Sequence, residues 1–276
     1  MSQPLFLEDR GVVEVAGADA ARFLHNLVTN EILKLGAGEA RFCALLTPQG
    51  KILVDFFVFA VGEGAARRYF LDCPKALEKD LIQRLGMYRL RSAVTIVSRS
   101  DEISVFALAR PPESSEGLLA LARDPRAEAL GWRALSPRGA FASFGSRRDY
   151  DASRVAAGVP EGGVDFAYGD AFPHEANMDR LSGVDFGKGC YVGQEVVART
   201  QHRGLARRRV ARYRAKGEAP PPGTPVRAGG AELGVTGSSS GEIGLALIRI
   251  DRLADARAAG AAIEAAGVPL QFASAD

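Results

Sequence analysis

The pattern of hydrophobic and polar positions predicts short strands and helices before residue 210. Alternation over residues 11–15 is typical of a strand, and residues 42–46 and 52–59 form two further predicted strands joined by a turn at 47–50. A helix is predicted to begin at residues 17–19, because four apolar residues then recur at helical spacing. These residues are Phe23, Leu24, Leu27 and Val28.

After residue 74 the pattern predicts one more helix, a second small unit and a C-terminal run of short strands. A helix is predicted after Pro74, which suits a first helical turn, and Gly86 is expected to end it. Residues 104–144 show short strands around one predicted helical piece at 117–123, which indicates a second small α+β unit. From Val210 onward, turn signals recur about every ten residues and predict a small β-barrel.

Composition narrows the class of protein. A chain of 276 residues predicts two or three domains, and 47% hydrophobic and 25% charged residues are ordinary for a soluble globular protein. A net charge of +2 does not by itself demand a nucleic-acid partner. The N-terminus lacks the apolar region of a signal peptide, and no run of about 18 apolar residues predicts a membrane span. We therefore expect a cytoplasmic protein that does not enter a membrane.

The most unusual stretch of the chain is residues 187–195, in which three glycines surround Cys190. Glycine at this density indicates a backbone that turns tightly or closely approaches another group. Lys188 would stabilise a thiolate if its ammonium lay near the sulfur. The alternative is that Cys190 is a small buried hydrophobe, as lone cysteines often are. With only Cys43 and Cys73 besides it, and no metal-ligand spacing among the histidines, no disulfide framework or metal site is predicted.

Two carboxylates stand out as candidate site residues. Asp55 interrupts the most apolar predicted strand, where a carboxylate is costly to bury unless it is paired or functional. Glu175 follows a glycine-rich connecting stretch over residues 151–170. Both have a plain alternative: Asp55 on a solvent face or capping a backbone group, and Glu175 as a solvated loop residue.

A run of arginines occupies residues 199–214, without any acidic residue. It could bind RNA phosphates, although it lacks the interleaved aromatic residues of a stacking platform. A solvated strand face explains residues 207–214 equally well, and a ligand contact is favoured for Arg199. The run contains Arg199, Arg203, Arg207, Arg208, Arg209, Arg212 and Arg214.

The stretch KGCYVGQE at 188–195, followed by ART at 198–200, resembles the signature of the YgfZ family. Members of that family are folate-binding proteins of iron–sulfur cluster maintenance, similar in fold to the T-protein (aminomethyltransferase) of the glycine cleavage system. The resemblance extends to residues 17–24 and 28–30, the strand around Asp55, the segment around Glu175 and the C-terminal barrel.

This resemblance implies an α+β fold with the three-lobed arrangement of the T-protein and a small C-terminal β-barrel. Residues 1–92 and 159–204 would form a discontinuous folate-binding domain, and residues 93–158 a second small α+β domain. The barrel would span 205–276.

The resemblance also implies roles for individual residues. Asp55 would lie beside the reactive nitrogens of tetrahydrofolate, and Glu175 would bind the pteridine ring through two parallel hydrogen bonds. Cys190, with Lys188 stabilising its thiolate, would act as a nucleophile, in thiol exchange or in transient cluster contact. Arg199 would meet the anionic folate tail. The folate contacts would be completed by Tyr191 and Gln194, and Gln194 would also hold the loop together with Glu195.

The implied function is that of a tetrahydrofolate-binding accessory protein in assembly or repair of iron–sulfur clusters. Its partners would be folate and iron–sulfur assembly proteins or client enzymes, with tRNA involved at most indirectly. One alternative is an aminomethyltransferase that moves a one-carbon unit to tetrahydrofolate; another is a folate-dependent tRNA-modification helper. Whether the chain has catalytic turnover stays open; an enzyme of this kind would be a folate-dependent one-carbon transferase.

Overall fold

The computed structural model describes residues 4–140, 142–204 and 206–273. Its helices are α1 (Ala20–His25), α2 (Glu78–Arg89), α3 (Arg147–Ala156), α4 (Gln194–Arg203) and α5 (Ile250–Ala258). The strands before residue 140 are β1 (Leu5–Phe6), β2 (Arg10–Ala16), β3 (Ala40–Leu46), β4 (Ile52–Val61), β5 (Arg68–Pro74), β6 (Thr95–Ser98), β7 (Ile103–Leu108), β8 (Ala120–Arg123) and β9 (Trp132–Pro137). The later strands are β10 (Arg208–Ala215), β11 (Pro225–Ala228), β12 (Ala231–Ser240), β13 (Ile243–Arg249), β14 (Ile263–Ala265) and β15 (Val268–Phe272).

The first sheet is antiparallel, with strand order β3-β4-β5-β2-β6. Side chains alternate between the two faces of a strand, and in β4 both faces are covered. Phe57 and Phe59 join a core cluster that also contains second-sheet residues, while Phe56 and Val58 pack in a cluster with residues of α1 and α2. Burial on both sides explains why β4 is the most apolar strand of the chain. Asp55 lies on the same face as Phe57.

The second sheet has strand order β1-β7-β9-β8 and is also antiparallel. The N-terminal strand β1 belongs to this sheet, whereas β6 pairs with β2, so the first sheet extends past residue 92. The prediction of a helical piece at 117–123 is wrong, because β8 pairs with β9 over four residues there.

Two predicted helices differ in length from those observed. The first helix ends at His25, and Leu27 and Val28 are buried in the turn that follows it. The helix α2 continues through Gly86 to Arg89, because Gly86 is exposed on an otherwise regular helix and a helix interior tolerates one glycine. In the part of the chain that the structure describes, no helix is both long and apolar enough to cross a membrane.

The predicted C-terminal barrel is confirmed: β10, β13, β12, β11, β14 and β15 close on themselves. Between α3 and α4 the chain returns to the first sheet without regular secondary structure of its own. It is fixed there by backbone bonds between Ile52 and both Gly169 and Ala171, and by the Thr29 hydroxyl, which donates to the Gly183 carbonyl at 2.6 Å. This returning segment carries Glu175 and Cys190, so the first sheet positions both.

Candidate functional site

Cys190 lies on an exposed loop immediately before α4. The residues on either side of it are anchored: Lys188 and Tyr191 are buried, with 7% and 8% of their surface exposed. The Lys188 ammonium lies 4.8 Å from the centre of the Tyr191 ring, a cation–π distance. The loop therefore presents the thiol to solvent from a backbone that is held on both sides.

Lys188 anchors the loop to the end of α1 and the turn that follows it. Its ammonium donates to the carbonyl oxygens of His25 and Val28, each at 2.5 Å. Burial lowers the pKa of Lys188 to about 8. In the part of the chain that the structure describes, no hydrogen bond joins this ammonium to the Cys190 sulfur. The predicted stabilisation of a thiolate by Lys188 stays a prediction, while its contact with the end of α1 is observed.

A tight contact between backbones fixes the other side of the loop. Gly193 precedes α4 with φ +83°, a conformation that glycine adopts readily. A side chain there would begin 2.6 Å from the Thr47 carbonyl oxygen and 3.0 Å from the Gly50 Cα. The turn at 47–50 therefore packs directly against the start of α4, with Gly50 and Gly193 at the contact. Gln194 and Glu195 form the first turn of α4, where a carboxylate is favoured by the helix dipole.

The other two cysteines do not share the surroundings of Cys190. Cys43 and Cys73 are fully buried, and burial raises the pKa of each thiol to about 12. They are therefore neutral and shielded near pH 7, and behave as small core residues. Cys190 is the exposed cysteine of the three.

A second candidate site lies at the face of the first sheet that carries Asp55. The Tyr168 hydroxyl donates to Oδ1 of Asp55 at 2.5 Å. Burial and the neighbouring Asp55 carboxylate both raise the pKa of Tyr168, so the hydroxyl keeps its proton and can donate it. A side chain at Gly162 would begin 2.1 Å from the Tyr168 hydroxyl oxygen, so this glycine leaves the space in which the Tyr168 ring lies.

An arginine-rich network surrounds the Phe57 ring beside this tyrosine. The guanidinium carbon of Arg133 lies 4.0 Å from the ring centre and that of Arg126 lies 4.7 Å away. Both guanidinium groups donate to the Tyr150 hydroxyl, at 2.8 and 3.0 Å. Arg133 also pairs with the fully buried Asp72 at 2.5 Å. Arg126 pairs with Asp124 at 2.7 Å, so each arginine has an acidic partner. These pairs stabilise the junction of the two sheets.

The space left among these groups is small. The cavity that Asp55 and Tyr168 line, together with five arginines, has a volume of about 50 Å³. Small-molecule sites typically have volumes of roughly 300–1,000 Å³. Of the predicted folate-binding residues, Asp55 alone lines this cavity. Tyr168 was not among the predicted site residues, although the glycine-rich stretch at 151–170 that contains it could have indicated it.

Glu175 does not line the Asp55 cavity and instead contacts the barrel. Its carboxylate accepts hydrogen bonds from Arg208 at 2.7 and 3.1 Å, and from the Phe172 backbone N–H at 3.0 Å. In this arrangement it fastens β10 of the barrel to the returning segment. Asp179 makes a similar contact with Arg209 at 2.7 Å. The predicted pteridine contact of Glu175 stays a prediction.

The arginine run divides into structural and exposed members. Arg208 and Arg209 are paired with acids as described, and Arg214 pairs with Glu242 at 2.9 Å. Arg199 and Arg203 are exposed on α4 and do not line the Asp55 cavity. The predicted contact between Arg199 and a folate tail stays a prediction.

Buried Lys188 predicts an unusual dependence of stability on pH. The ordinary pKa of lysine is 10.5, so between about pH 8 and 10.5 the unfolded chain binds more protons at this position than the folded chain. Stability then rises with pH in this window, because the cost of burying the charge disappears. We expect wild type to gain stability relative to Lys188→Met between about pH 7 and pH 9.5. Urea unfolding of both proteins at the two pH values measures this; an equal change in both would contradict it.

Comparisons with known proteins agree with this architecture. Residues 8–138 match the family described as the GCVT N-terminal domain, and residues 207–276 match the C-terminal β-barrel domain of CAF17. The crystal structure of the glycine cleavage system aminomethyltransferase T from Bartonella henselae is similar with a TM-score of 0.75. That alignment covers 99% of this chain and 86% of the other at 14% identity. The chain is therefore a protein of the aminomethyltransferase fold with a C-terminal barrel of the CAF17 type.

Curated relatives narrow this class to a family. The iron–sulfur cluster assembly factor IBA57, mitochondrial, of Mus musculus is 35% identical over 90% of this chain and 77% of its own length. The Homo sapiens protein of the same name is 33% identical with the same coverage. The chain belongs to the IBA57 family of iron–sulfur cluster assembly factors.

Two expectations are corrected by these relatives. The similarity to YgfZ holds at the level of the shared GCVT-like superfamily, and the family itself is IBA57. The expectation of a cytoplasmic protein is contradicted, because the matched relatives are named as mitochondrial proteins.

Proposed function

We propose that this chain acts in iron–sulfur cluster assembly by presenting Cys190 as a thiolate ligand to a cluster that it shares with another molecule. The observation that carries the proposal is the exposed thiol on a loop anchored by buried Lys188 and Tyr191. The names of the relatives, iron–sulfur cluster assembly factors, support the same role.

Sharing follows from the ligand count. Clusters are usually held by four thiolates, and this chain offers one exposed cysteine. In the described residues, no three His, Cys, Asp or Glu side chains are grouped so that they could hold a metal ion. The remaining ligands would therefore come from a partner protein or from a small thiol. Binding forms one iron–sulfur bond at Cys190 and releases the thiol proton to water.

Anaerobic reconstitution tests this role. The purified chain would be mixed with ferric iron, sulfide and glutathione, and cluster binding would be read from visible absorbance after gel filtration. We expect wild type and Cys43→Ala to retain a cluster and Cys190→Ala to lose at least about 90% of it, because buried Cys43 cannot replace the exposed ligand. Equal cluster content in wild type and Cys190→Ala would sink the proposal.

We further propose that a folate, such as tetrahydrofolate, binds in the Asp55 cavity when the Tyr168 side chain has moved away from Asp55. The donor groups suit such a molecule, since a carboxylate can accept from an aminopyrimidine edge and arginines can meet an anionic tail. The volume does not suit it: about 50 Å³ cannot hold a pteridine while Tyr168 is bonded to Asp55. We therefore assign the folate no chemical step. Aminomethyl transfer would need the Asp55 carboxylate that Tyr168 occupies.

Removal of the Tyr168 side chain is expected to open this cavity. Calorimetric titration with tetrahydrofolate should show binding to Tyr168→Ala at least about tenfold tighter than to wild type, because no hydroxyl then competes for Asp55. The double variant Tyr168→Ala, Asp55→Asn should lose most of that gain. If Tyr168→Ala binds no more tightly than wild type, the cavity is not a folate site.

A further inference from the structure

An open groove lies between α1 and the C-terminal end of α2, away from the Asp55 cavity. Its volume is about 830 Å³, and its floor includes Phe23 and Leu27. Tyr88 and Leu90 form part of its wall. A groove of this size can receive side chains of another molecule.

Two large apolar residues that line the groove are exposed: Tyr88 by 38% and Leu90 by 88%. Exposed apolar side chains that line one surface groove are typical of interaction sites.

The backbone at Leu90 gives a second, independent indication. Leu90 follows α2 with φ +43° and ψ −108°, a conformation that costs a non-glycine residue about 1–3 kcal/mol. Glycine is the residue that most often ends a helix with positive φ. A leucine in this conformation therefore costs stability, and its side chain, which is 88% exposed, is free to contact another molecule.

Arginines outnumber acids around the groove, since Arg22, Arg91 and Asp19 are its charged lining residues. Arg22, Arg89 and Arg91 are exposed, and in the described residues no carboxylate forms an ion pair with any of them. Asp19, the acid in the lining, accepts a hydrogen bond from the Ala93 backbone N–H at 2.7 Å. The groove therefore offers unpaired cations beside an apolar floor.

The groove and the Cys190 loop share one support. Arg22 and Phe23 of α1 line the groove, while Lys188 donates to the carbonyl at the end of the same helix, on His25. A side chain at Gly189 would begin 3.7 Å from Nε2 of His25. The helix α1 therefore contributes to the groove and also anchors the Cys190 loop.

We propose that this groove docks an acidic amphipathic helix of a partner protein. Apolar side chains of that helix would contact Phe23, Leu27 and Leu90, and its carboxylates would pair with Arg22 and Arg91. Charge complementarity selects this occupant over a basic segment or a second copy of this positively rimmed surface. The inference rests on the groove alone and holds whether or not Cys190 binds a cluster.

Synthetic peptides test the proposal. A fluorescein-labelled amphipathic helix of about 18 residues, with leucine on one face and glutamate on the other, would be titrated with the full chain. Its counterpart carries lysine in place of glutamate. We expect saturable binding of the acidic peptide, and binding of the lysine peptide at least about tenfold weaker.

Two variants locate the binding. Leu90→Gly should bind the acidic peptide about tenfold more weakly and yet raise the unfolding midpoint, because glycine relieves the positive φ while removing the contact. Phe144→Ser, at a residue 70% exposed outside the groove, should bind as wild type does. The proposal is overturned if neither peptide binds, if both bind equally, or if Leu90→Gly binds normally. Sedimentation showing a wild-type dimer that Leu90→Gly abolishes would assign the groove to self-association and overturn it as well.

Discussion

Asp72→Ala is expected to lower the free energy of unfolding by about 3–5 kcal/mol, the usual cost of removing one partner from a buried ion pair. Asp72 is fully buried on β5 and accepts from Arg10 at 2.6 Å and from Arg133 at 2.5 Å. Both arginines would keep their charge without this partner, since a guanidinium does not deprotonate in proteins. Arg133 would keep its contacts with Asp124, the Tyr150 hydroxyl and the Phe57 ring, and of these only Asp124 carries a negative charge.

A surface ion pair provides the matched control. Asp170 pairs with Lys51 at 3.0 Å, but its side chain is 58% exposed. Asp170→Ala should cost at most about 1 kcal/mol, because water solvates both charges. Urea unfolding of the two variants and wild type would measure the difference. Equal losses would show that the buried network does not hold the two sheets together.

Gly193→Ala is expected to be the most damaging single-methyl change at the Cys190 loop. The added carbon would lie 2.6 Å from the Thr47 carbonyl oxygen, so the loop or the turn at 47–50 must move. Together with the positive φ, we expect a loss of about 2–4 kcal/mol. The displaced loop should also alter the rate at which iodoacetamide modifies Cys190 in the native protein.

Gly204→Ala serves as the control that separates the cost of the positive φ from the cost of the close contact. Gly204 lies at the other end of α4 with φ +60°, and a side chain there would meet nothing within 4 Å. Gly204→Ala should therefore cost only the conformational part, about 1–2 kcal/mol, and leave Cys190 labelling unchanged. If the two alanine variants are equally stable and label alike, the close contact at Gly193 does not hold the loop.

Patterns local in sequence predicted much of this fold. The apolar run of β4 and the regular turns of the barrel arise from burial and turn chemistry that neighbouring residues encode. The prediction of a helix at 117–123 was wrong because the strand there forms by pairing with β9, which lies elsewhere in the sequence. The helix α2 continues past Gly86 because one exposed glycine destabilises a helix less than the packing of Leu81 and Leu85 stabilises it.

The sequence indicated where the cysteine loop lies but not what its side chains contact. The density of glycines around Cys190 marked the loop, and glycine at 193 does serve a close approach. What Lys188 contacts could not be derived, because its partners are carbonyl groups more than 150 residues earlier in the chain. The same holds for Tyr168 and Asp55, whose meeting depends on how the returning segment crosses the first sheet.

The pairing of Glu175 with Arg208 has a consequence for the order in which the protein is made. The segment that leads to the cysteine loop is fastened by the first barrel strand: Arg208 holds Glu175, and the Asn177 side chain donates to the Val210 carbonyl at 2.7 Å. A ribosome delivers that strand only after the loop has emerged. We therefore expect the thiol to reach its final setting late in synthesis, so that an incomplete chain does not display a finished cysteine loop.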